Sequence, residues 1–212
     1  MPADAGTEQT TTVIIGAGLS GLAVAAELRR HGVGSIVVDG LDGSGASPTP
    51  GTASLQRCHA GESHTLRERN EILRHLRNYA ASHSVDVRST TPALQLTRLA
   101  GPGHGAAPQW QVHTPGGLLV ADHIVLTRCA NSQLRRMLNE FGIAVGRNVA
   151  AAMRAMGMYL VGVGGLITPS PKEVLRQAKT VGHAISAKVH PDSLNPGGSS
   201  FPATGSFALL TC

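Results

Sequence analysis

The stretch Val13-Ile14-Ile15-Gly16-Ala17-Gly18-Leu19-Ser20-Gly21 constrains this chain more than any other. An apolar run enters it and a helical pattern leaves it. In strand–turn–helix units that hold dinucleotides, the three glycines have separate jobs. Gly16 lets the chain turn sharply out of the strand. Gly18 lacks a Cβ, so a pyrophosphate can approach the backbone closely. Gly21 lets the helix pack tightly on the strand. The unpaired N–H groups of the first helical turn then face the phosphates, where the helix dipole favours negative charge.

The flanking sequence extends the motif into a βαβ unit. Thr12 to Ile15 reads as a buried strand, and Leu22, Ala25, Ala26 and Leu28 give the following helix an apolar, small-residue face. Gly32 and Gly34 end that helix, and Ser35-Ile36-Val37-Val38-Asp39 reads as a second, parallel strand. Asp39 falls about 20 residues beyond the glycines, where such units grip ribose hydroxyls.

A chain of 212 residues suffices for one core with small additions. Aromatic residues make up only 3%, so Ala, Val, Leu and Gly must build the interior, and stability leans on a ligand or partner. The formal charge of +5 is dispersed, with no basic block interleaved with aromatics, which argues against nucleic-acid binding. Cys58, Cys129 and Cys212 stand far apart and form no CxxC, which excludes a dithiol centre and a disulfide framework. Met1–Thr10 has no apolar signal core, and the apolar run from Ala155 to Ile167 is too short and glycine-rich to span a bilayer. The expectation is a cytoplasmic protein with neither a membrane segment nor a metal site.

Further along, residues 1–10 read as a flexible lead and 41–55 as a Gly/Ser/Pro/Thr loop beside the carboxyl edge of the second strand. Thr65 with Glu68 forms a capping box for a helix whose apolar face carries Leu66, Ile72, Leu73, Leu76 and Tyr79. Its arginines read as a solvated face, although Arg67 or Arg69, near the start, is placed to reach a phosphate. Val85–Arg88 and Ala93–Leu99 read as strands, with a loop over Gly101–Pro108. Gln109–Thr114 alternates and turns at Pro115-Gly116-Gly117 into Leu118–Val120, an antiparallel hairpin in which Trp110 is a packing residue. Ile124–Leu126 reads as a separate buried parallel strand, Gln133–Glu140 as a helix, and Met158–Val163 as another strand. Ser170-Pro171-Lys172-Glu173 starts a helix with Val174, Ala178, Val181 and Ile185 inward, and a tail is expected from His190 on. His59, Glu62 and His64 cluster after the loop as candidate acids or bases, more plausibly surface residues, while Cys58 and Cys129 lack an activating neighbour. The fold expected is α/β: a Rossmann-like parallel sheet with helices on both faces and an antiparallel β-hairpin insertion, in one domain over 11–189.

Taken together, these elements resemble the FAD-binding half of flavoproteins with two dinucleotide-binding domains, especially flavin-containing monooxygenases. Gly16, Gly18, Gly21, Ala25 and Gly32 carry the likeness at the family's spacing; so do Arg69–Ala80 followed by Asp86–Arg88, Trp110 with Val112, and Met158–Val163 followed by Ser170-Pro171. The resemblance implies FAD as cofactor. Gly16, Gly18, Leu19, Ser20 and Gly21 would hold its pyrophosphate, with Arg67 in reach of a phosphate. Asp39, followed by Gly40, would hold the adenosine ribose, and the backbone of Ala93 would meet the adenine. Cys129, Gly162 and Pro171 would lie toward the flavin, with the last helix aiming its N-terminus at the ring.

Three departures from the family qualify that reading. Only about 25 residues separate Leu126 from the final strand region, fewer than the roughly 30 of a βαβ unit, so residues 130–154 replace the NADPH domain. Thr127-Arg128-Cys129 stands where the family has Ala-Thr-Gly. The monooxygenase fingerprint has no counterpart. Two function classes therefore remain open. One is a compact FAD-dependent oxidoreductase, monooxygenase- or oxidase-like, acting on a small organic substrate, with electrons from the substrate, from NAD(P)H or from a separate reductase, and with homodimerisation as an option. The other is a non-redox cyclase or isomerase that uses FAD as one wall of a hydrophobic pocket.

Overall fold

The computed structural model describes residues 6–41, 60–99, 109–127, 131–143, 148–163 and 169–191, with the backbone alone at 60–65 and 131–132. In chain order the elements are β1 (Thr7–Ile15), α1 (Leu19–Arg30), β2 (Ser35–Leu41), α2 (Ala60–Ser82), β3 (Asp86–Ala93), β4 (Gln95–Leu99), β5 (Gln109–Thr114), β6 (Gly117–Leu126), α3 (Asn131–Glu140), α4 (Val149–Ala155), β7 (Met158–Leu160) and α5 (Pro171–Val189). The strands form one seven-stranded mixed sheet in the order β3-β2-β1-β6-β5-β4, with β7 also paired to β6. β1 lies parallel to β2 and β6, β2 to β3, and β6 to β7, while β4, β5 and β6 form an antiparallel meander. This is the expected α/β, Rossmann-like architecture.

Alternation along the central strands divides the core between the two faces of the sheet. Ile14, Val37 and Val125 point to the face covered by α1 and α5, where Val24, Leu28, Ala178 and Ile185 meet them. Val13, Ile15, Ile36, Val38, Ile124 and Leu126 point the other way, toward Leu134, Met137 and Leu138 of α3 and Met153 of α4. Each such buried branched side chain contributes about 1.5–3 kcal/mol. With neighbours on both faces, these strands read as continuous apolar runs rather than as alternating ones. Trp110 packs as expected: it is fully buried, meets Phe141 edge-on at 5.1 Å, and donates from Nε1 to the Met156 carbonyl at 2.9 Å.

Several boundaries differ from expectation. β1 begins at Thr7, inside the stretch read as a flexible lead, because Thr7–Thr10 pair in register with Leu118–Ala121. The second hairpin strand and the buried strand after it are one element, β6. Its first half pairs with β5 and its second with β7, while β1 runs along the whole length. Thr65 lies within α2 rather than capping it, since that helix already runs from Ala60. β7 stops at Leu160, and the chain then bends at Gly162, whose φ of +73° ends an extended strand. At α5, Ser170 caps as expected by accepting from the Glu173 N–H at 3.3 Å, but the Glu173 side chain turns to Arg176 and Gln177 instead of reaching back. Between β6 and β7, α3 and α4 are the only elements among the described residues. No helix among the described residues is long and apolar enough to cross a membrane. The loop expected over 41–55 beyond Leu41, the loop over Gly101–Pro108 and the tail beyond residue 191 lie outside the described residues.

One buried titratable group gives stability a pH dependence. His123 stands beside Thr12 on the α5 face, 8% exposed, and its Nδ1 finds no hydrogen-bond partner among the described residues. Burial pushes the imidazole below its ordinary value, the nearby Lys188 ammonium pushes it the same way, and Asp122 opposes both weakly. The unfolded chain therefore takes up this proton first as pH falls through about 6.5. Stability contributed by the neutral ring is present above that value and is lost progressively below it. Urea midpoints measured between about pH 5 and pH 7.5 should fall on the acid side, and His123→Leu should flatten that slope; an equal slope in both proteins would show that His123 is not the group responsible.

Candidate functional site

The carboxyl ends of β1, β2 and β6 and the first turns of α1 and α5 converge on a cleft of about 630 Å³. Its lining comprises Gly16, Ala17, Gly18, Leu19, Ser20, Asp39, Arg69, Thr127, Gly162, Pro169 and Val174. A crevice outside the carboxyl ends of parallel strands is where open α/β sheets bind ligands.

The glycine loop forms its floor. The Gly16 N–H donates to the Val38 carbonyl at 2.9 Å, which ties the turn to β2. Across the sheet, Thr127 holds the same turn: its N–H donates to the Ile15 carbonyl at 3.0 Å, and its hydroxyl lies 3.0 and 3.1 Å from the carbonyls of Ile15 and Gly16. Gly21 presses α1 onto the loop so closely that a Cβ there would sit 1.9 Å from the Gly16 carbonyl oxygen. Gly18 is the opposite case. A Cβ added to it would meet nothing within 4 Å, and its φ of −87° and ψ of −165° suit any residue. The space over Gly18 is therefore open for a ligand.

α1 begins at this opening with no side chain capping it and no acid in its first turn. Its first internal hydrogen bond runs from Leu22 to the Gly18 carbonyl, so the N–H groups of Leu19, Ser20 and Gly21 precede the helix's own ladder. Donors so placed, with the positive end of the helix dipole behind them, form an anion cradle. Asp39 stands near the end of β2, where its Oδ1 accepts the Gly40 N–H at 2.8 Å and its carboxylate lines the cleft. Thus Gly16, Gly18, Leu19, Ser20 and Asp39 gather at one place, with Gly21 beneath them and Gly40 beside Asp39.

Other expected residues are distributed less simply. Arg67 is exposed and stands outside the cleft lining, whereas Arg69 is in it. Two residues on a helix are about 200° apart, so only one of the pair can face inward. Ala93 is fully buried at the end of β3, paired with Leu41 next to the Asp39–Pro92 pair, and stands outside the cleft lining. Gly162 lines the cleft, and Pro171 is buried at the first position of α5 between the lining residues Pro169 and Val174. Cys129 lies outside the described residues, as do Cys58 and His59, and the side chains of Glu62 and His64 are likewise not described.

Thr127 and Gln177 were not singled out from the sequence as site residues. Gln177 Oε1 accepts the Gly162 N–H at 2.9 Å, and its Nε2 donates to Glu173 at 2.9 Å. A capping box gives Glu173 another job, so only the i, i+4 spacing of Glu173 and Gln177 hinted at this pair. Among the described residues, Asp39 and Arg69 are the only titratable side chains in the lining. The described lining therefore offers free helix N–H donors, one carboxylate and one guanidinium to whatever enters the cleft.

Comparison with known proteins agrees with the architecture. Residues 14–76 match the family described as NAD(P)-binding Rossmann-like domain. No curated protein matches the chain. The crystal structure of THI4 from Thermovibrio ammonificans is similar with a TM-score of 0.55 at 16% identity, over 86% of this chain and 90% of that one. A geranylgeranyl bacteriochlorophyll reductase-like protein from Thermoplasma acidophilum gives 0.50 at 10% identity, over 90% and 81%. A bacillithiol disulfide reductase from Staphylococcus aureus is matched over 57% of this chain at 14% identity, with a TM-score of 0.38, and this chain spans only 39% of its length. At these identities the likeness establishes the fold.

Proposed function

We propose that this chain binds FAD in the cleft over Gly18 and acts as an FAD-dependent oxidoreductase on a small organic substrate. The observation that carries the reading is the open position over Gly18, at the free start of α1 and in one cleft with Asp39. In this reading the pyrophosphate lies over Gly18 and the ribose at Asp39, as dinucleotide-binding βαβ units arrange them. The same cleft also takes in Gly162, and Pro169 and Val174 at the start of α5. The resemblance of the motif and of the β7–α5 segment to FAD-binding halves favours FAD over a nicotinamide dinucleotide.

In this reading the N–H groups of Leu19, Ser20 and Gly21 hold the pyrophosphate, Arg69 adds positive charge, and Asp39 accepts from the adenosine ribose. Gly162 and the first turn of α5 border the flavin end, where the helix N-terminus favours electron density on the ring. Bound flavin supplies the redox chemistry; the chain supplies orientation and electrostatics. Electrons would come from the substrate, from NAD(P)H or from a separate reductase. Absorbance and chromatography of cofactor released from the purified protein test the assignment. FAD in near-stoichiometric amount is expected, and release of only a nicotinamide dinucleotide would replace it.

Asp39→Ala should weaken FAD by about 1–3 kcal/mol, the worth of hydrogen bonds to a charged group, as read by quenching of flavin fluorescence on titration. Unchanged affinity would remove Asp39 from the site.

A second reading draws on the absence of a proton-transfer pair among the described lining residues: a cyclase or isomerase in which FAD is a wall and catalysis consists in holding a reactive shape. An FAD analogue that cannot cycle electrons separates the two, since the oxidoreductase loses turnover with it and the cyclase does not.

A further inference from the structure

Where the chain leaves β7 it passes unusually close to the start of α1. A Cβ on Gly162 would lie 2.7 Å from Ser20 Oγ and 4.0 Å from Val174 Cγ2. Gly162 holds φ at +73°, so its peptide planes are set by what they bond rather than by a strand ladder. Its N–H does not point into the cleft, since Gln177 Oε1 takes it at 2.9 Å. The rest of the connection constrains that bond. Gln177 Nε2 donates to Glu173 Oε1 at 2.9 Å, and Arg176 grips Glu173 at 2.9 and 3.0 Å with its Nε and second guanidinium nitrogen. A carboxylate only accepts, so the amide must turn its NH₂ toward Glu173 and its oxygen toward Gly162. The Gln177 side chain thus has one allowed orientation, and a chain of bonds runs from Arg176 through Glu173 and Gln177 to the backbone at the cleft wall.

We propose that Gln177 is a positioning residue that sets the orientation of the Gly162 peptide, and with it the stretch of cleft wall that Gly162 and Ser20 form together against the bound dinucleotide. As a statement about the cofactor, this rests on the FAD reading above. Neither Gln177 nor Glu173 lines the cleft, so both act through Gly162.

Two substitutions test it with different signatures. Gln177→Leu keeps the packing volume and removes the acceptor. Gln177→Glu restores an acceptor for Gly162 but sets a second carboxylate against Glu173 across the former amide bond. Two facing carboxylates hold a proton more tightly than one alone, while the Arg176 guanidinium on Glu173 works the other way, so the pair gives up its shared proton within the ordinary carboxylate range. The variant should therefore work like wild type at acid pH, where the pair shares a proton, and fail as pH rises and both ionise. Two readouts are needed on the full chain: FAD affinity as a function of pH, and amide hydrogen exchange at Gly162 without any ligand. Expected results are about tenfold weaker FAD and about tenfold faster Gly162 exchange in Gln177→Leu, the breaking of one ordered hydrogen bond. Gln177→Glu should approach wild type toward acid pH, where the pair keeps its proton, and fall to the leucine variant's level at neutral pH, while wild type stays flat.

Unchanged Gly162 exchange in Gln177→Leu would overturn the proposal whatever happens to FAD. Faster exchange with unaltered FAD affinity would overturn it too, because the bond would then hold the turn without shaping the cleft. If wild type takes no FAD while Gly162 exchange responds as expected in both variants, the cofactor reading falls, and the exchange results support Gln177 as the residue that sets the turn.

Discussion

Gly21→Ala is expected to yield a protein that barely folds. The added methyl would stand 1.9 Å from the Gly16 carbonyl oxygen and 3.1 Å from its carbon, both backbone atoms. Neither can yield, because the Gly16 turn is tied to β2 through Val38 and to β6 through Thr127. α1 would have to lift from the sheet, stripping contacts from Ile14, Val24 and Leu28. With both clashing atoms in the backbone, the overpacking penalty should reach or exceed the upper end of the usual range of about 1–3 kcal/mol, a large share of the about 5–15 kcal/mol that holds a domain together. Thermal melting followed by circular dichroism should show Tm lowered by about 10–15 °C, or the variant should partition into the insoluble fraction. A melting curve matching wild type would mean that α1 does not sit on the loop as described.

The contrasting substitution is Gly18→Val, three positions earlier in the same motif. It should leave the fold nearly intact and abolish cofactor binding. The side chain enters open space from an extended backbone that valine adopts readily. Losing glycine at the start of a helix costs no more than about 1 kcal/mol. The same side chain then occupies the position of the pyrophosphate, and FAD affinity should drop by about a hundredfold or more, equivalent to about 3 kcal/mol. The check is a colourless but cooperatively melting protein, with FAD titration showing no saturable quenching at concentrations that saturate wild type. Colour retained by Gly18→Val would take the cofactor away from the glycine loop. The pair is informative because two glycines of one motif would fail in different ways, one in folding and the other in binding.

The two positions also show how much could be read in advance. The glycine spacing placed the strand, turn and helix correctly because Gly16, at a φ of +118°, and Gly21, pressed on the Gly16 carbonyl, answer to demands that no other residue meets. Asp39 followed from counting along β2. Val174, Ala178, Val181 and Ile185 are buried on α5 as their helical period implied. What failed were boundaries decided by partners distant in sequence. Thr7–Thr10 have no apolar signal of their own and become strand only because Leu118–Ala121 lie beside them. β6 reads as two strands because polar Asp122 and His123 interrupt it, yet the interruption falls where its partner changes from β5 to β7. The choice between Arg67 and Arg69 depended on the rotation of α2, which its packing against α1 decides. Thr127 and Gln177 act through single side-chain bonds to backbone groups, which leave no periodic trace.

The walls of the cleft come from opposite ends of the chain. The Thr127 hydroxyl reaches the Ile15 carbonyl across a separation of 112 residues, and α5, which buries the outer face of α1, follows later still. During synthesis the glycine loop would emerge on the order of ten seconds before the helix that covers it. Throughout that interval the side of α1 that α5 later covers would stand bare to water, with the cleft half-built. A nascent chain of this design has reason to meet a chaperone at its first helix, and saturating cofactor should rescue its folding only after α5 has left the ribosome.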